Sequence, residues 1–339
     1  MAKRPTMADV AAEASVSRAL VSIVFRGVPG ASDATRERVL AAAERLGYRP
    51  DTRARLLRSA RSRLLGVVFA LDGAFHGELV EALYPAAAVA GFDLALSARG
   101  PRRSEDEALQ SLLDLGVEAI LVLAPDSTPD ALSALPLPVV SLLEPQAPRT
   151  VSSVATDESA GVELAVAHLR GLGHGRIAHI DGGSAVGAAA RRDAFRLLAG
   201  RDAIVVPGGP HDADGMHAAR MLLALAAARR HEAPTAAVVF NDEGALGVVH
   251  VLRAAGLRVP EDLSVVGYDD SHLAALAHVG LTSVRQDPDA LAAAAVRAAA
   301  EALEGRHEHV LVPPSLTVRS STAPPPAVIR PDWPARFLA

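Results

Sequence analysis

The hydrophobic and polar positions of the first fifty residues repeat at helical spacing. They predict three short helices, at 6–14, from 17 to about 25, and at 32–46. Each predicted helix starts at a hydroxyl side chain that can accept a hydrogen bond from its first turn, namely Thr6, Ser17 and Ser32. Glycine and proline interrupt the pattern after the second helix, and a glycine closes the third, at Gly27, Pro29, Gly30 and Gly47. Two helices joined by a tight turn predict a helix-turn-helix.

From Leu64 onward, short apolar runs alternate with longer segments of helical spacing. The runs of strand length include Leu64–Ala70, Ala119–Leu123, Val139–Leu143, Ile177–Ile180, Ala236–Phe240 and Leu263–Gly267. The helical segments include 157–172, 212–230, 242–255 and 287–304. This alternation predicts parallel sheets with right-handed crossovers, and about ten strands favour two α/β subdomains over one sheet. The expected organisation is an all-α headpiece at 1–50, a hinge or linker at 51–62, an α/β core at 63–322 and a Pro-rich tail at 323–339.

Charge is divided unevenly between these parts. Residues 1–63 contain 13 Lys and Arg against 6 Asp and Glu, a net charge of +7, whereas the remainder contains 21 against 33, a net charge of −12. A basic end on an acidic body indicates a polyanionic partner for the headpiece, the alternative being a chance cluster of solvated arginines.

The composition narrows the class of protein further. The chain has no cysteine, which excludes disulfides, thiolate metal sites and cysteine nucleophiles and fits a reducing cytoplasm. No apolar stretch is long enough to span a membrane, and residues 1–5 do not lead into the apolar run of a signal peptide. We therefore expect a cytoplasmic protein that does not enter the membrane.

A set of motifs in the headpiece makes the helix-turn-helix specific. In order along the chain they are Asp9-Val10-Ala11, Ala14, Val16-Ser17, Gly27, Thr35-Arg36-Glu37-Arg38-Val39 and Leu46-Gly47-Tyr48-Arg49-Pro50. In this register they resemble the DNA-binding headpiece of the LacI/GalR family of bacterial transcription regulators. The resemblance implies that the second helix enters the major groove of operator DNA.

The resemblance also implies which side chains meet DNA. Arg18 and Ala19, at the start of the recognition helix, would face the base edges, where Arg18 can donate two hydrogen bonds to guanine O6 and N7. Ser17 and Ser22 can reach phosphates, and Thr6 is assigned to the same surface. Contacts with phosphates position the helix on DNA but do not read its base sequence.

The headpiece departs from the family at two positions that are expected to touch DNA. Ile23 stands where a base-reading Arg is common, and Arg26 stands where Asn is common. Ile23 cannot donate a hydrogen bond, so it either touches a thymine methyl or faces the headpiece core. The operator is therefore expected to differ from the family's usual one.

The Arg-rich segment 51–62 resembles the family's hinge helix. In that family, two hinge helices of a dimer pair in the minor groove and a Leu wedges between base pairs. Ala54 and Leu57 occupy the corresponding positions. The alternative is that Leu56 and Leu57 form an ordinary apolar pair covered by the core.

The resemblance continues through the core to about residue 320. The segments that carry it are 65–68, 172–177, 191–195, 241–247, 265–270 and 281–287. It implies the fold of periplasmic sugar-binding proteins, with two subdomains around a cleft and three crossovers between them. The N-subdomain would contain about 63–157 and 286–313, and the C-subdomain about 158–285 and 314–322.

The same resemblance places the ligand-binding residues. Carried over one at a time, they are Arg191, Asn241 and Asp269, with Gln286 and Phe75 as weaker candidates. An Arg fork, an amide and a carboxylate suit a neutral, hydroxyl-rich small molecule.

Several alternatives remain open at the ligand site. A one-residue shift would place Arg192 there in place of Arg191, and Arg191 with Asp269 could form an ion pair that serves only structure. Pro210 stands where sugar-binding relatives often have a stacking aromatic, and Leu143 where some have an Asp, which weakens a simple sugar assignment. Asp242 and Asp270 are expected to cap helices or hold loops.

Taken together, these features predict a transcription regulator, and specifically a repressor, controlled by a small effector such as a sugar. It would bind a near-palindromic DNA site as a homodimer, since one headpiece makes few contacts. The tail has no apolar heptads and offers no route to a tetramer. No cofactor, metal or catalytic activity is expected, because His307-Glu308-His309 lacks a third ligand and the motifs of enzymes are missing. The alternative is a periplasmic-type solute-binding protein without a regulatory role.

Overall fold

The structure is a computed structural model that describes residues 5–26, 29–48, 62–71, 73–144, 150–200, 203–228 and 233–326. The chain divides into two compact units, Met1–Ser62 and Arg63–Ala339. The hinge residues Ala54 and Leu57 and the end of the tail lie outside the described ranges. No helix within those ranges has the length and apolar character needed to cross a membrane.

The first unit contains the three predicted helices, α1 (Met7–Glu13), α2 (Arg18–Arg26) and α3 (Asp33–Leu46). A hydroxyl oxygen accepts a backbone hydrogen bond at the start of each, with N–O distances of 3.4 Å at Thr6, 3.2 Å at Ser17 and 3.3 Å at Ser32. Gly47 ends α3 with φ of 61°, in the left-handed region that glycine adopts without strain. The predicted helix starts are therefore confirmed.

Small side chains form the core of this unit. The buried residues are Val10, Ala11, Ala14, Val21, Val24, Val39, Ala42 and Ala43, and the rings of Phe25 and Tyr48 meet beside them at 5.6 Å. Arg36 donates to the carbonyl of Val24 and Arg38 to that of Ala14, so two of the basic side chains hold the three helices together.

The second unit contains twelve strands in its described part. They are β1 (Leu64–Ala70), β2 (Asp93–Arg99), β3 (Ala119–Leu123), β4 (Val139–Leu142), β5 (Ser152–Thr156), β6 (Ile177–Ile180), β7 (Ile204–Val206), β8 (Ala236–Val239), β9 (Ser264–Asp269), β10 (Thr282–Arg285), β11 (His309–Val312) and β12 (Ser315–Thr317). One sheet has the order β11-β5-β4-β3-β1-β2 and the other β12-β10-β9-β8-β6-β7. All pairs are parallel except β10 with β12.

Eight helices cover the faces of these sheets in the described ranges. They are α4 (Ala74–Val89), α5 (Glu105–Leu115), α6 (Pro129–Ser133), α7 (Glu158–Gly171), α8 (Ala188–Ala199), α9 (Asp212–Ala228), α10 (Asp242–Ala254) and α11 (Pro288–Leu303). The apolar faces of α4 and α11 pack together against the first sheet, and those of α9 and α10 against the second. Aliphatic runs such as β3, buried along their whole length, are typical of parallel strands covered on both faces. The predicted two-subdomain α/β fold is confirmed.

The chain passes between the two sheets three times, after β5, after β10 and after β11. In each sheet the loops that follow the parallel strands gather at the carboxyl ends, where ligands of open α/β sheets bind. These loops of both sheets line one cleft, which is the candidate site of the core.

Candidate functional site

The first turn of α2 presents a polar, solvent-facing edge. Ser17, Arg18 and Ala19 are exposed, while Val21 and Val24 are buried in the headpiece core. The hydroxyl of Ser17 already accepts from the backbone of the first turn, which leaves its proton available to an acceptor. The helix therefore offers Arg18 and Ala19 to a partner, as a recognition helix does.

The other predicted DNA-contacting residues have mixed surroundings. Ile23 is half-buried, and its Cγ2 lies 3.5 Å from the position that a β-carbon on Gly30 would occupy, so it packs partly against the loop after α2. Thr6 is exposed, but its hydroxyl donates to Asp9 at 2.7 Å. Ser22 is half-buried; Arg26 is the last residue of α2, and its side chain lies outside the described part.

Between the two sheets of the core lies a cavity of about 460 Å³, a volume within the range of small-molecule sites. Both subdomains contribute to its walls. From the N-subdomain come Ala70, Gly73, Ala74, Phe75, His76, Arg99, Ala124, Pro125, Asp126 and Leu143. From the C-subdomain and the crossover come Glu158, Ser184, Ala185, Val186, Arg191, Pro210, His211, Phe240, Asn241, Glu243, Asp269, Ser271 and Gln286. All five predicted ligand residues are therefore brought to one cavity.

Arg191 reaches the cavity from α8 but is held by a partner that the sequence did not reveal. Its Nε and Nη2 donate to the two carboxylate oxygens of Glu158, on α7, at 2.6 and 3.1 Å. Its Nη1 donates to the carbonyl of Phe240 at 2.6 Å. The ion pair suggested between Arg191 and Asp269 is not the pairing observed. The neighbouring Arg192 pairs instead with Asp181 at 3.0 Å and does not line the cavity.

Two aromatic rings enclose the guanidinium of Arg191. Its Cζ lies 3.6 Å from the centre of the Tyr268 ring and 4.7 Å from that of Phe240. A glycine is required beneath the tyrosine, because a β-carbon on Gly161 would overlap the Tyr268 hydroxyl. Burial opposes the charge of Arg191, yet the net effect of Glu158 and the other neighbours raises its pKa, so the side chain stays cationic.

Asp269 ends β9 at the floor of the cavity, with a strained φ of 106°. Its Oδ1 accepts from Nε2 of Gln286 at 2.7 Å, and Oε1 of Gln286 accepts from the Thr156 hydroxyl at 2.6 Å. Thr156 thus fixes the orientation of the Gln286 amide, which in turn orients the carboxyl of Asp269. Burial raises the pKa of Asp269 well above its ordinary value, and the charge of Arg191 opposes that shift.

The other two predicted residues have structural contacts as well. Asn241 caps α10, since its Oδ1 accepts from Gly244 at 2.8 Å, and its Nδ2 donates to the carbonyl of Pro210 at 2.8 Å. Phe75 is 5% exposed and joins the N-subdomain core while one side lines the cavity. Pro210 and Leu143, the two departures from the sugar-binding pattern, both reach the cavity wall.

Sequence reasoning missed a second set of polar residues in the cavity. Arg99, at the end of β2, donates to Asp126 at 2.6 Å and to the carbonyl of Ala124, and its Nε lies 3.3 Å from Glu105. On the opposite wall, Nδ1 of His211 lies 3.4 Å from Glu243, and burial raises the pKa of that glutamate against the influence of the histidine.

The sequence contains little signal for this second set. Arg99 is the last residue of β2, a strand that is missing from the predicted runs. Nothing in the sequence ties it to Asp126 across 27 positions.

Carboxylates also hold the loop after β9, as expected for Asp242 and Asp270. Asp242 accepts from the backbone and hydroxyl of Ser271 at 2.8 and 2.9 Å and from the Ser283 hydroxyl at 2.6 Å. Burial raises the pKa of Asp242 to about 7. Asp270 accepts from the Thr317 hydroxyl at 2.7 Å and pairs with Arg319. The expectation that both residues hold loops is confirmed.

Comparison with known proteins places this geometry in a family. The family model of bacterial regulatory proteins of the lacI family matches residues 6–51, and that of the periplasmic binding protein-like domain matches residues 166–322. A regulator of the helix-turn-helix type from Streptomyces limosus is 36% identical over 342 residues, covering 94% of this chain and 95% of its own. The chain belongs to the LacI family of bacterial regulatory proteins.

Solved structures of LacI-family proteins align with nearly the whole chain. The lac repressor dimer bound to operator and the anti-inducer ONPF aligns with a TM-score of 0.79 at 30% identity, covering 95% of this chain and all of that one. The complex of the regulator CelR with cellobiose aligns with a TM-score of 0.68 at 31% identity, covering 94% and all of that chain.

Membership decides between the classes of function that the sequence left open. The relatives are transcription regulators, not enzymes, and this LacI-family chain is a DNA-binding transcription regulator with a ligand-binding core. A solute-binding protein without a regulatory role is excluded, because residues 6–51 match the regulator headpiece.

Proposed function

We propose that this regulator represses transcription by binding a near-palindromic operator as a homodimer, and that a small hydroxyl-rich effector in the cleft changes its operator affinity. The observation that carries the proposal is one cavity lined by residues of both subdomains, so that a bound molecule stabilises one relative orientation of the two.

On the DNA side, we propose that Arg18 and Ala19 read base edges and that Ser17, Ser22 and Thr6 position the helix on phosphates. The exposure of Ser17, Arg18 and Ala19 at the first turn of α2 supports these roles. Ile23 and Arg26 would set the preference for an operator that differs from the family's usual one. The segment 51–62, with Ala54 and Leu57, would act as the hinge in the minor groove.

On the effector side, we propose that Arg191, Asn241, Asp269, Gln286 and Phe75 form the binding site. Their common position on the cavity supports the assignment. Arg191 and Asp269 come from the C-subdomain and Phe75 from the N-subdomain. The lac repressor dimer on its operator and the cellobiose complex of CelR support the same division of roles between operator and effector.

The DNA-reading role of Arg18 is tested by selecting an operator from genomic fragments and measuring affinity by fluorescence anisotropy at several salt concentrations. Affinity should fall steeply with salt, because the basic headpiece displaces condensed counterions. Arg18→Ala should lose roughly 1–3 kcal/mol for the selected operator and relax the preference at one base pair.

Arg45→Ala is the matched control, since it removes the same charge from the exposed end of α3, where Arg45 pairs with Glu13 at 3.1 Å. This control should leave base preference unchanged. An equal loss of affinity by Arg18→Ala for all sequences would assign Arg18 to a phosphate and remove it from base reading.

A further inference from the structure

The charged side chains that line the cleft are unequal in sign. Two are guanidinium groups and four are carboxyl groups, from Arg99, Arg191, Asp126, Glu158, Glu243 and Asp269. The histidines His76 and His211 also line the cleft and can become cationic on protonation. With both imidazoles neutral, carboxyl groups outnumber fixed cations by two in the lining.

Both guanidinium groups already have carboxylate and carbonyl partners. Arg191 is 4% exposed and spends its Nε and Nη2 on Glu158 and its Nη1 on the carbonyl of Phe240. Arg99 spends Nη1 on Asp126 and Nη2 on the carbonyl of Ala124, with Glu105 beside its Nε. An anionic ligand at either arginine would therefore lie beside a carboxylate that is already paired with it.

The carboxylate of Glu158 also lies beside the N-terminal end of a helix at the cleft. The α8 helix begins at Gly187 without a side-chain cap. Oε1 of Glu158 lies 3.1 Å from the position that a β-carbon on Gly187 would occupy. The carboxylate that neutralises Arg191 therefore also lies at this helix N-terminus, where a ligand anion would otherwise be stabilised.

What the cleft does offer a ligand is an oriented hydrogen-bond acceptor. Asp269 is fixed through Oδ1 by Gln286, while no group among the described residues donates to its Oδ2. An acceptor of this kind suits a ligand hydroxyl, which can donate a hydrogen bond to it, whereas a deprotonated phosphate or carboxylate has no proton to donate.

We propose that the cleft selects an uncharged, hydroxyl-rich molecule and rejects the phosphorylated or carboxylated form of the same molecule, with Glu158 as the residue that enforces the choice. This deepens the proposed function and rests on it, since it takes the cleft to be the effector site. Glu158 rejects anions because it pairs with Arg191 and places a carboxylate beside the N-terminus of α8.

The test is a calorimetric titration of the full-length protein at about pH 8, where histidines of ordinary pKa are neutral. The probes are glucose, mannose, ribose, maltose and cellobiose, each paired with its commercially available phosphate ester. The tightest-binding member should be an uncharged sugar, and its phosphate should bind at least about 100-fold more weakly. A phosphate that binds as well as its parent sugar would overturn the proposal, and so would a panel in which no member binds.

The variant Glu158→Gln extends the test to the residue named. It should reduce the ratio of the affinity for a sugar to that for its phosphate by about tenfold or more, because an uncharged amide replaces the carboxylate beside Arg191 and the α8 N-terminus. Glu163→Gln, on the exposed face of the same helix, is the control and should leave this affinity ratio unchanged. An unchanged affinity ratio in a Glu158→Gln protein that retains a cooperative melting transition would remove Glu158 from this role.

Operator affinity without sugar, measured on the same protein, separates the two levels of the proposal. If the sugar panel fails while the operator still binds, the ligand class is wrong and the DNA-binding function stands. If operator binding fails as well, the proposed function fails.

Discussion

At the scale of single residues, His179 on β6 shows how burial sets protonation in this core. Its side chain is 1% exposed, and its ring stacks on Phe195 at 5.3 Å. Nδ1 donates to the carbonyl of Val238 at 3.1 Å, which leaves Nε2 without a hydrogen-bond partner among the described residues. Burial lowers the pKa of His179 to about 4, so the folded protein holds this imidazole neutral.

Acid should therefore destabilise the core through His179. Its pKa is lower in the folded state than in the unfolded chain, so protons bind the unfolded chain preferentially between about pH 6.5 and about pH 4. Stability is fully present above that interval and is lost as pH falls through it, by about 3 kcal/mol at pH 4 for this group. Urea unfolding curves measured from pH 7 to pH 4 report the slope.

The comparison is with His179→Leu, which should be less stable at pH 7 but should lose less stability as the pH falls. His307→Gln, at an exposed position, serves as the control and should follow the wild type. A His179→Leu slope equal to that of the wild type would mean that the imidazole is not held neutral.

The candidate site was predictable one residue at a time but not as a set of contacts. The resemblance placed Arg191, Asp269 and Gln286 on the cavity, and the structure brings all three there. Glu158 was missed because a glutamate in the first turn of a predicted helix is ordinarily a solvated end residue. The requirement that a buried arginine have a counter-charge indicates that a partner exists, yet 33 positions separate this pair and no local pattern identifies it.

At the scale of elements, strands with a strong apolar pattern were predicted from the sequence, whereas half-exposed strands were not. The predicted strands at 64–70, 119–123 and 177–180 have the observed bounds. Edge strands such as β2 and β12 carry few buried side chains, so the apolar signal that identifies a strand is weak in them. The antiparallel pairing of β12 depends on where the chain returns from the other sheet, which no local pattern encodes.

One contact joins an element of each subdomain at the rim of the cleft. Oε1 of Glu78, on α4, accepts a hydrogen bond from the backbone N–H of His272 at 2.8 Å. The same oxygen lies 2.8 Å from Nδ1 of the His272 ring. His272 follows Ser271, whose own N–H donates to Asp242 of the C-subdomain. The loop after β9 is thus held by carboxylates of both subdomains.

Glu78→Ala should release His272 while leaving Ser271 held. A hydrogen bond of this kind contributes about 1 kcal/mol, so amide exchange at His272 should become about fivefold faster. The exchange of the Ser271 amide should change little, because Asp242 still accepts from it. Hydrogen exchange followed by NMR resolves the two neighbouring amides.

Glu81→Ala, exposed on the same helix, provides the control and should leave both amides at their wild-type rates. Equal exchange at His272 in Glu78→Ala and wild type would mean that the contact between the subdomains contributes nothing in solution.

At the scale of the whole molecule, the structure shows which of the basic side chains of the headpiece have partners within it. Part of the basic excess of the headpiece is internal, since Arg36 and Arg38 bond carbonyls and Arg45 pairs with Glu13. Arg18 is exposed on α2 and has no such partner among the described residues. The acidic core has the opposite character, and its cleft is lined by an excess of carboxyl groups. On the proposal made above, the two units bind ligands of different charge, a polyanion and an uncharged molecule.

If a sugar changes operator affinity, operator DNA must change the affinity for that sugar by the same factor. The tightest uncharged sugar found by titration should change operator affinity by about 5- to 150-fold, and operator DNA should change the affinity for that sugar equally. Asp269→Asn should abolish this response, because it replaces the carboxylate that faces the ligand while keeping its size, and asparagine tolerates the positive φ of 106° better than most residues. Operator affinity without sugar should stay within about twofold of wild type, because the substitution changes a side chain of the effector site and none of the headpiece.

Asp193→Asn is the control, since it changes an exposed carboxylate on α8, and its operator affinity should respond to sugar as that of the wild type does. A retained response in Asp269→Asn would place the effector elsewhere, whereas loss of operator binding without sugar would show that Asp269 supports the fold of the core and not the ligand.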